Sequence, residues 1–359
     1  MQPSMSVNSG TAASQRPLFQ DKYEIIRLLG KGAYGGVHLA REKVTGKKFA
    51  AKVLLKKTSW TPEVFQKRVM QEVAALQMVR HENIIELVDY LRDESETRFW
   101  VVMQLATGGD VMQRIIARHK ANEKYTEAEV SSIIRDVLSA LAHLHARHIV
   151  HCDIKPENIL YRTSAQDSPV CLVDFGLAQL CERGLYLSKF RGTPDYIAPE
   201  LFGDAKKYNA KADVWSVGCL LAVLLSGRFP FRRKWDTCSA STETKRIKSL
   251  VLKGYEGLPW KEHPWPSIDE QAKDLIRQML TVDPDQRPTA VQCLEHRWLR
   301  GGAQRRDIGR EVLQSMEHVI EFNRSRGAMA GGCHRSRPPR RRPPPPLPPP
   351  PPEPRGRGG

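Results

Sequence analysis

The hydrophobic period of the chain changes character near residue 105, and that change limits the fold more than any other feature. Residues 23–57 alternate apolar and polar around a cluster of glycines, the mark of strands joined by turns. The run RFWVVMQL at 98–105 reads as a buried strand. One helix interrupts this part: Thr61-Pro62 makes an N-cap and N1 pair, and Val69, Val73 and Leu76 recur at helical spacing through Arg80. After Gly108-Gly109 the pattern is helical. Thr126 and Glu129 form a capping box ahead of Val130, Ile133, Ile134, Val137, Leu138, Leu141 and Leu144, and further helical runs lie at 213–226 and 269–280. The expected fold is therefore α+β in two lobes: a small β-rich lobe at about 23–105, a larger helical lobe at about 106–299, and a cleft between them.

The ends differ from this body. Residues 1–22 are polar and Ser-rich and read as a disordered leader. Residues 300–326 hold one short helical stretch at 307–324, with Ile308, Val312, Met316, Val319 and Ile320 on one stripe. Residues 327–359 are a Gly-rich break and a Pro/Arg tail that cannot build a core. Net charge is +16, and twelve arginines against five acids fall from residue 301 onward. Such a balance favours anionic partners, with nothing in charge alone to say which. The seven cysteines include no CxxC pair, which argues against a zinc ribbon or a disulfide scaffold. The N-terminus lacks a secretory h-region and carries Gln2, so neither export nor myristoylation is expected. No apolar run is long enough to span a bilayer. The expected location is intracellular, cytoplasmic or nuclear.

The chemistry-bearing residues come in a fixed order. Gly30-Lys31-Gly32-Ala33-Tyr34-Gly35-Gly36-Val37 fits G-x-G-x-x-G-x-V, whose glycines let backbone N–H groups approach phosphate oxygens. A dinucleotide-binding turn or a plain Gly-rich hairpin explains that stretch equally well, whereas a Walker A loop is absent. Lys52 lies in the apolar run FAAKVL, and a buried Lys needs an anion. Glu72, three residues after Val69 and four before Leu76, faces inward to supply one. HCDIKPENIL (151–160) then sets Asp153, Lys155, Glu157 and Asn158 between apolar stretches, and VDFGLA sets Asp174 before a Phe-Gly turn. Asp153, Asn158 and Asp174 offer hard oxygens suited to Mg²⁺ and to a hydroxyl proton. GTPDYIAPE (192–200), DVWSVG (213–218) and DPDQRPT (283–289) follow.

Taken in that order, these motifs resemble the eukaryotic protein kinases across Tyr23–Leu299, and most nearly the calmodulin-dependent group of serine/threonine kinases, judged from GTPDYIAPE, AKDLIRQML and DPDQRPT. The resemblance implies a bilobal kinase fold that uses ATP and Mg²⁺ to phosphorylate proteins. It also implies roles. Leu29, Gly30, Gly32 and Gly35 would cover the nucleotide, and Lys52, paired with Glu72, would hold the α/β-phosphates. Asn158 and Asp174 would bind Mg²⁺, Asp153 would accept the substrate proton, and Lys155 would neutralise the γ-phosphoryl. Val37, Ala50 and Leu160 would sandwich adenine, while the Gln104 carbonyl and Ala106 N–H would bond its edge. Met103 matches the gatekeeper, and Asp110 the ribose-binding acid. Thr193 argues for Ser/Thr over Tyr specificity, and Glu200 is expected to pair with Arg287. Asp110 and Glu157 would also face a substrate Arg three residues before the acceptor. A kinase-like scaffold would not need Lys52, Asp153, Asn158 and Asp174 together.

Two departures matter. Most family members carry Arg before the catalytic Asp, where it grips an activation-loop phosphate; here that residue is Cys152, and Lys189 stands where relatives often carry the phosphorylated Thr. Activity without loop phosphorylation is the expectation. Residues 305–326 resemble the helix that calmodulin lifts from related kinases, yet five Arg against four acids make a weakly basic target, and no EF-hand loop exists in the chain. The proline run at 338–354 would suit an SH3, WW or profilin-type groove. Nothing resembles a nucleic-acid-reading motif.

Overall fold

The computed structural model describes residues 17–32, 35–93, 97–181, 194–202, 209–232 and 240–331. Lys189 and Thr193, like the proline run, lie outside them.

Five antiparallel strands build the smaller lobe: β1 (Tyr23–Gly32), β2 (Gly35–Glu42), β3 (Lys48–Leu55), β4 (Leu87–Arg92) and β5 (Arg98–Met103), in the spatial order β1-β2-β3-β5-β4. One face buries Ala40, Ala51, Val53, Leu91, Trp100 and Val102. That face has a cover the alternation did not reveal. The expected leader ends before residue 22, because Phe19–Lys22 form a helical turn, α1, whose Phe19 ring stacks 4.1 Å from Trp100. The opposite face carries α2 (Pro62–Gln77), which begins where Thr61 accepts the Val64 N–H, as its cap chemistry requires.

The larger lobe is helical: α3 (Val111–Lys120), α4 (Glu127–His145), α5 (Lys211–Ser226), α6 (Ala240–Val251), α7 (Glu270–Met279), α8 (Ala290–Leu294) and α9 (Arg310–Gly331). Thr126 and Glu129 close the expected capping box at the start of α4. α5 is apolar on every side and buried nearly end to end, the central rod of the lobe. Between α4 and α5, four two- and three-residue strands form two ribbons: β6 (Ile149–Val150) with β9 (Gln179–Leu180), and β7 (Ile159–Tyr161) with β8 (Val170–Leu172). They hold the loops of HCDIKPENIL and VDFGLA at the interlobe cleft.

The C-terminal helix starts three residues later than expected and runs seven residues past the expected end at 324. Ala328, Met329 and Ala330, all good helix formers, extend it beyond the break that Gly327 suggests. Its stripe of Val312, Leu313, Met316 and Val319 is buried against α3 and α5, with Ile308 just ahead of it. Gly227, which ends α5 with φ +68°, permits this approach: a Cβ there would lie 2.2 Å from the Val312 carbonyl oxygen.

Candidate active site

Pairing in the small sheet sets Lys52 opposite Val37 on β2 and Val101 on β5. Its side chain is buried, and its Nζ lies 2.6 Å from Glu72 Oε1 and 2.7 Å from Asp174 Oδ1. The inward Glu72 expected from helical spacing is there, and Asp174 joins it. Burial opposes the charge on Lys52, but the two carboxylates outweigh it and raise its pKa above the ordinary value. Burial likewise disfavours ionised Asp174, yet the adjacent Lys52 ammonium prevails and brings its pKa down to about 2. Burial raises Glu72, against the pull of Lys52. One ammonium thus joins β3, α2 and the DFG turn. Gly176 leaves room for this cluster: a Cβ would sit 3.1 Å from Lys52 Nζ and 3.2 Å from Asp174 Oδ1, close enough to push on both. Asp174 itself takes φ +63° and accepts the Gly176 N–H, while Phe175 turns into the core edge-on to His151, ring centroids 5.1 Å apart.

Across the cleft the 151–160 loop is tied at both ends. The Asp213 carboxylate accepts the N–H groups of His151 and Cys152, each at 2.9 Å, and lies 2.9 Å from His145 Nε2. Asn158 Nδ2 donates to the Asp153 carbonyl at 2.8 Å and to Asp153 Oδ2 at 3.0 Å. Lys155 Nζ also reaches Asp153 Oδ2, at 2.6 Å. Burial works against the Lys155 charge, and the Asp153 carboxylate more than offsets it, raising the Lys155 pKa. Asp153 is therefore held by one cation and one amide, with its carboxylate at the cleft. Glu157 is exposed at the mouth of the loop.

The residues expected around a nucleotide line the same cleft. Gly30 pairs with Val37 and Gly32 with Gly35 where β1 turns into β2, and Leu29 lies exposed beside them. Ala50 pairs with Met103, so both sit at the rear of the cleft. Beyond Met103 the chain crosses between lobes. The Gln104 N–H donates to the Glu86 carbonyl, and its side chain joins Glu86 to Arg162. Among the described residues, the Gln104 carbonyl and the Ala106 N–H make no backbone hydrogen bond. Leu160, on β7, bridges to Asp110. Asp110 has a structural duty as well: its Oδ1 accepts the Gln113 N–H at 2.8 Å and caps α3. Thr193 lies outside the described residues; Asp195, two positions on, is buried.

The donor set fits Mg²⁺. Asn158 uses its amide nitrogen on Asp153, which leaves the amide oxygen as an acceptor, and Asp174 stays anionic at neutral pH. Two hard oxygens beside bound phosphates are what Mg²⁺ ordinarily takes from a protein. The expected pair of Glu200 and Arg287 also forms, at 2.9 and 3.0 Å, under the segment that ends the GTPDYIAPE motif.

Some participants were not singled out from the sequence. Asp213 had a signal, an acid inside an otherwise apolar helix, which is costly unless something accepts its charge. Arg162, whose guanidinium bonds the Glu82 and Ile84 carbonyls and Gln104 Oε1, had none.

Comparison with known proteins agrees with this geometry. The protein kinase domain family matches residues 23–299. The chain is 35% identical over 308 residues to human serine/threonine-protein kinase H1, covering 84% of this chain and 67% of that one. It is 36% identical over 304 residues to rat calcium/calmodulin-dependent protein kinase type 1B, covering 85% and 82%. With its Lys52–Glu72–Asp174 cluster, its Asp153 loop and these relatives, the chain belongs to the protein kinase family, among its serine/threonine kinases.

Proposed function

We propose that the chain transfers the γ-phosphoryl group of ATP to Ser or Thr hydroxyls of proteins, with Asp153 as the proton acceptor. The observation that carries this reading is the single arrangement of Lys52, Glu72, Asp174, Asp153, Lys155 and Asn158 around one cleft. Lys52, held by Glu72, binds the α/β-phosphates, and Leu29, Gly30, Gly32, Gly35, Val37, Ala50, Met103 and Leu160 enclose the nucleotide. The Gln104 carbonyl and Ala106 N–H receive the adenine edge, and Asp110 the ribose. Asp153 orients the attacking hydroxyl and takes its proton; Lys155 stabilises charge on the moving phosphoryl. When bound at Asn158 and Asp174, Mg²⁺ neutralises phosphate charge. Positioning and charge account for most of the acceleration, since phosphoryl transfer asks little covalent chemistry of the protein.

Four finer readings go with this one. Asp110 and Glu157 select Arg three residues before the acceptor, and a peptide array without Arg selection there would refute it. Cys152 has no positive charge to grip a phosphate, so phosphatase-treated enzyme keeps its rate; loss of activity would contradict this. The name of the type 1B relative keeps calmodulin in view as a partner of 305–326. Because Val312, Met316 and Val319 are buried, calmodulin would have to peel α9 away, and a Ca²⁺-dependent change in its hydrogen exchange tests that. The proline run remains a ligand for SH3, WW or profilin-type domains.

The decisive assay uses Mg-ATP and a basic Ser/Thr peptide, with Asp153→Asn as control. Undiminished phosphorylation by that variant would leave the scaffold reading in its place.

A further inference from the structure

Arg232 joins three separated parts of the larger lobe. Its side chain is 5% exposed. Nε and Nη2 donate to Asp195 Oδ1 at 2.9 and 2.7 Å, and Nη1 donates to Glu243 on α6. Its guanidinium lies 4.2 Å from the Phe322 ring centroid on α9 and 5.6 Å from that of Phe229. Phe322 meets Phe229 edge-on at 6.0 Å. A planar cation with carboxylates on its edge and an aromatic ring on its face satisfies both its charge and its π-surface while buried.

Asp195 belongs to the turn Pro194–Tyr196, which is fastened to α5 at Ser216, three residues beyond the Asp213 that holds the start of the 151–160 loop. Tyr196 is buried there and lies within electrostatic reach of Glu157 and Asp153. The Ser216 hydroxyl donates to the Tyr196 carbonyl at 2.8 Å and ties the same turn to α5. The turn is thus pinned on two sides, by α5 through Ser216 and by α9 through Arg232.

We propose that Phe322 on the C-terminal helix is a positioning residue for protein substrate: by stacking on Arg232 it fixes Asp195 and the 194–196 turn against which the acceptor peptide lies. The inference rests on the proposed phosphoryl-transfer reading, which makes this edge of the catalytic loop the substrate side. It gives α9 a sign opposite to that of a blocking helix. Docked, it supports substrate binding, and lifting its Phe322 end weakens that binding. Arg232 also withholds Asp195 from basic substrate side chains, which leaves their recognition to other acids such as Asp110 and Glu157.

The test uses the full chain and a Ser/Thr peptide that it phosphorylates. Phe322→Leu keeps an apolar side chain and removes the ring; it raises peptide KM about three- to tenfold, as loss of a largely desolvated cation–π contact would. Its kcat at saturating peptide and its KM for ATP stay unchanged, and Phe322→Tyr restores the wild-type peptide KM. Fluorescence anisotropy of a labelled peptide in the presence of ADP shows the same weakening without turnover. An unchanged peptide KM and affinity in Phe322→Leu overturns the proposal, and so does a raised kcat, the behaviour of a released block. Inclusion of Asp153→Asn separates the two ideas: if that variant kept full activity the catalytic reading would fall, while the anisotropy arm would still decide the role of Phe322.

Discussion

Asp213 accepts the backbone N–H of Cys152 at 2.9 Å, where Cys152 itself takes φ +70°. A non-glycine residue in the left-handed region is strained, and it persists only where its surroundings fix it. Here the fixing group is a carboxylate in the first turn of α5, 1% exposed, which also takes the His151 N–H. Cys152, the residue before Asp153, therefore has its position set through its main chain. Its side chain adds a contact of its own, the Sγ–H donating to the Val150 carbonyl at 3.4 Å.

Removal of that anchor has a measurable cost. Asp213→Ala leaves two buried N–H groups without their acceptor, and we expect about 3–5 kcal/mol lost in urea unfolding, the range for breaking buried charged interactions. Activity of the folded fraction falls as well, because the strained loop relaxes. An unfolding midpoint equal to wild type would show that the carboxylate does not hold the loop.

Asp153→Asn is expected to act on rate. Asn preserves the size of the side chain but cannot take a proton, so kcat falls about 10²- to 10⁴-fold, the usual contribution of a general base. KM for ATP changes little, since Lys52, Glu72 and Asp174 remain in place. A comparable rise in ATP KM would mean that the substitution disturbed the nucleotide side instead.

The Lys52–Asp174 pair gives a signed pH dependence. The Asp174 carboxyl, at about 2 in the folded chain, lies below its ordinary value of 3.8. A depressed acid contributes stability that is complete above the ordinary value and disappears as pH falls through the folded one. The difference in melting temperature between wild type and Asp174→Asn should then be constant from pH 7 to 5 and narrow from about pH 4 towards 2. Lys52, raised above its ordinary value, stays charged throughout this window. A difference that widened on acidification would reverse the assigned sign.

How much of this was legible depended on how local each signal was. Glu72 could be aimed at Lys52 because Val69 and Leu76 flank it on one helical face, and the helix start was written in Thr61-Pro62. The strands β6 to β9 could not be read, since two or three residues are too few to establish a period. Phe19 looked like the end of a polar leader because its partner, Trp100, lies far along the chain. The junction of Asp195, Arg232 and Phe322 was illegible for the same reason. No spacing rule connects a turn, a loop and a helix so far apart, and only packing brings them together.

The Glu200–Arg287 pair shows the limit from the other side. The kinase resemblance implied the pair, but not what else Arg287 does. Its side chain has no exposed surface; besides Glu200, it donates to the carbonyls of Thr281, Lys211 and Val282, and it lies 5.0 Å from the Trp215 ring. A Lys at this place keeps the charge but has neither the planar fork nor enough directed donors for three carbonyls and a bidentate carboxylate. Arg287→Lys should therefore destabilise the larger lobe almost as much as Arg287→Ala, by about 3–5 kcal/mol. Chemical unfolding of both variants measures this. If Arg287→Lys stayed within about 1 kcal/mol of wild type, charge alone would suffice and the carbonyl bonds would carry little.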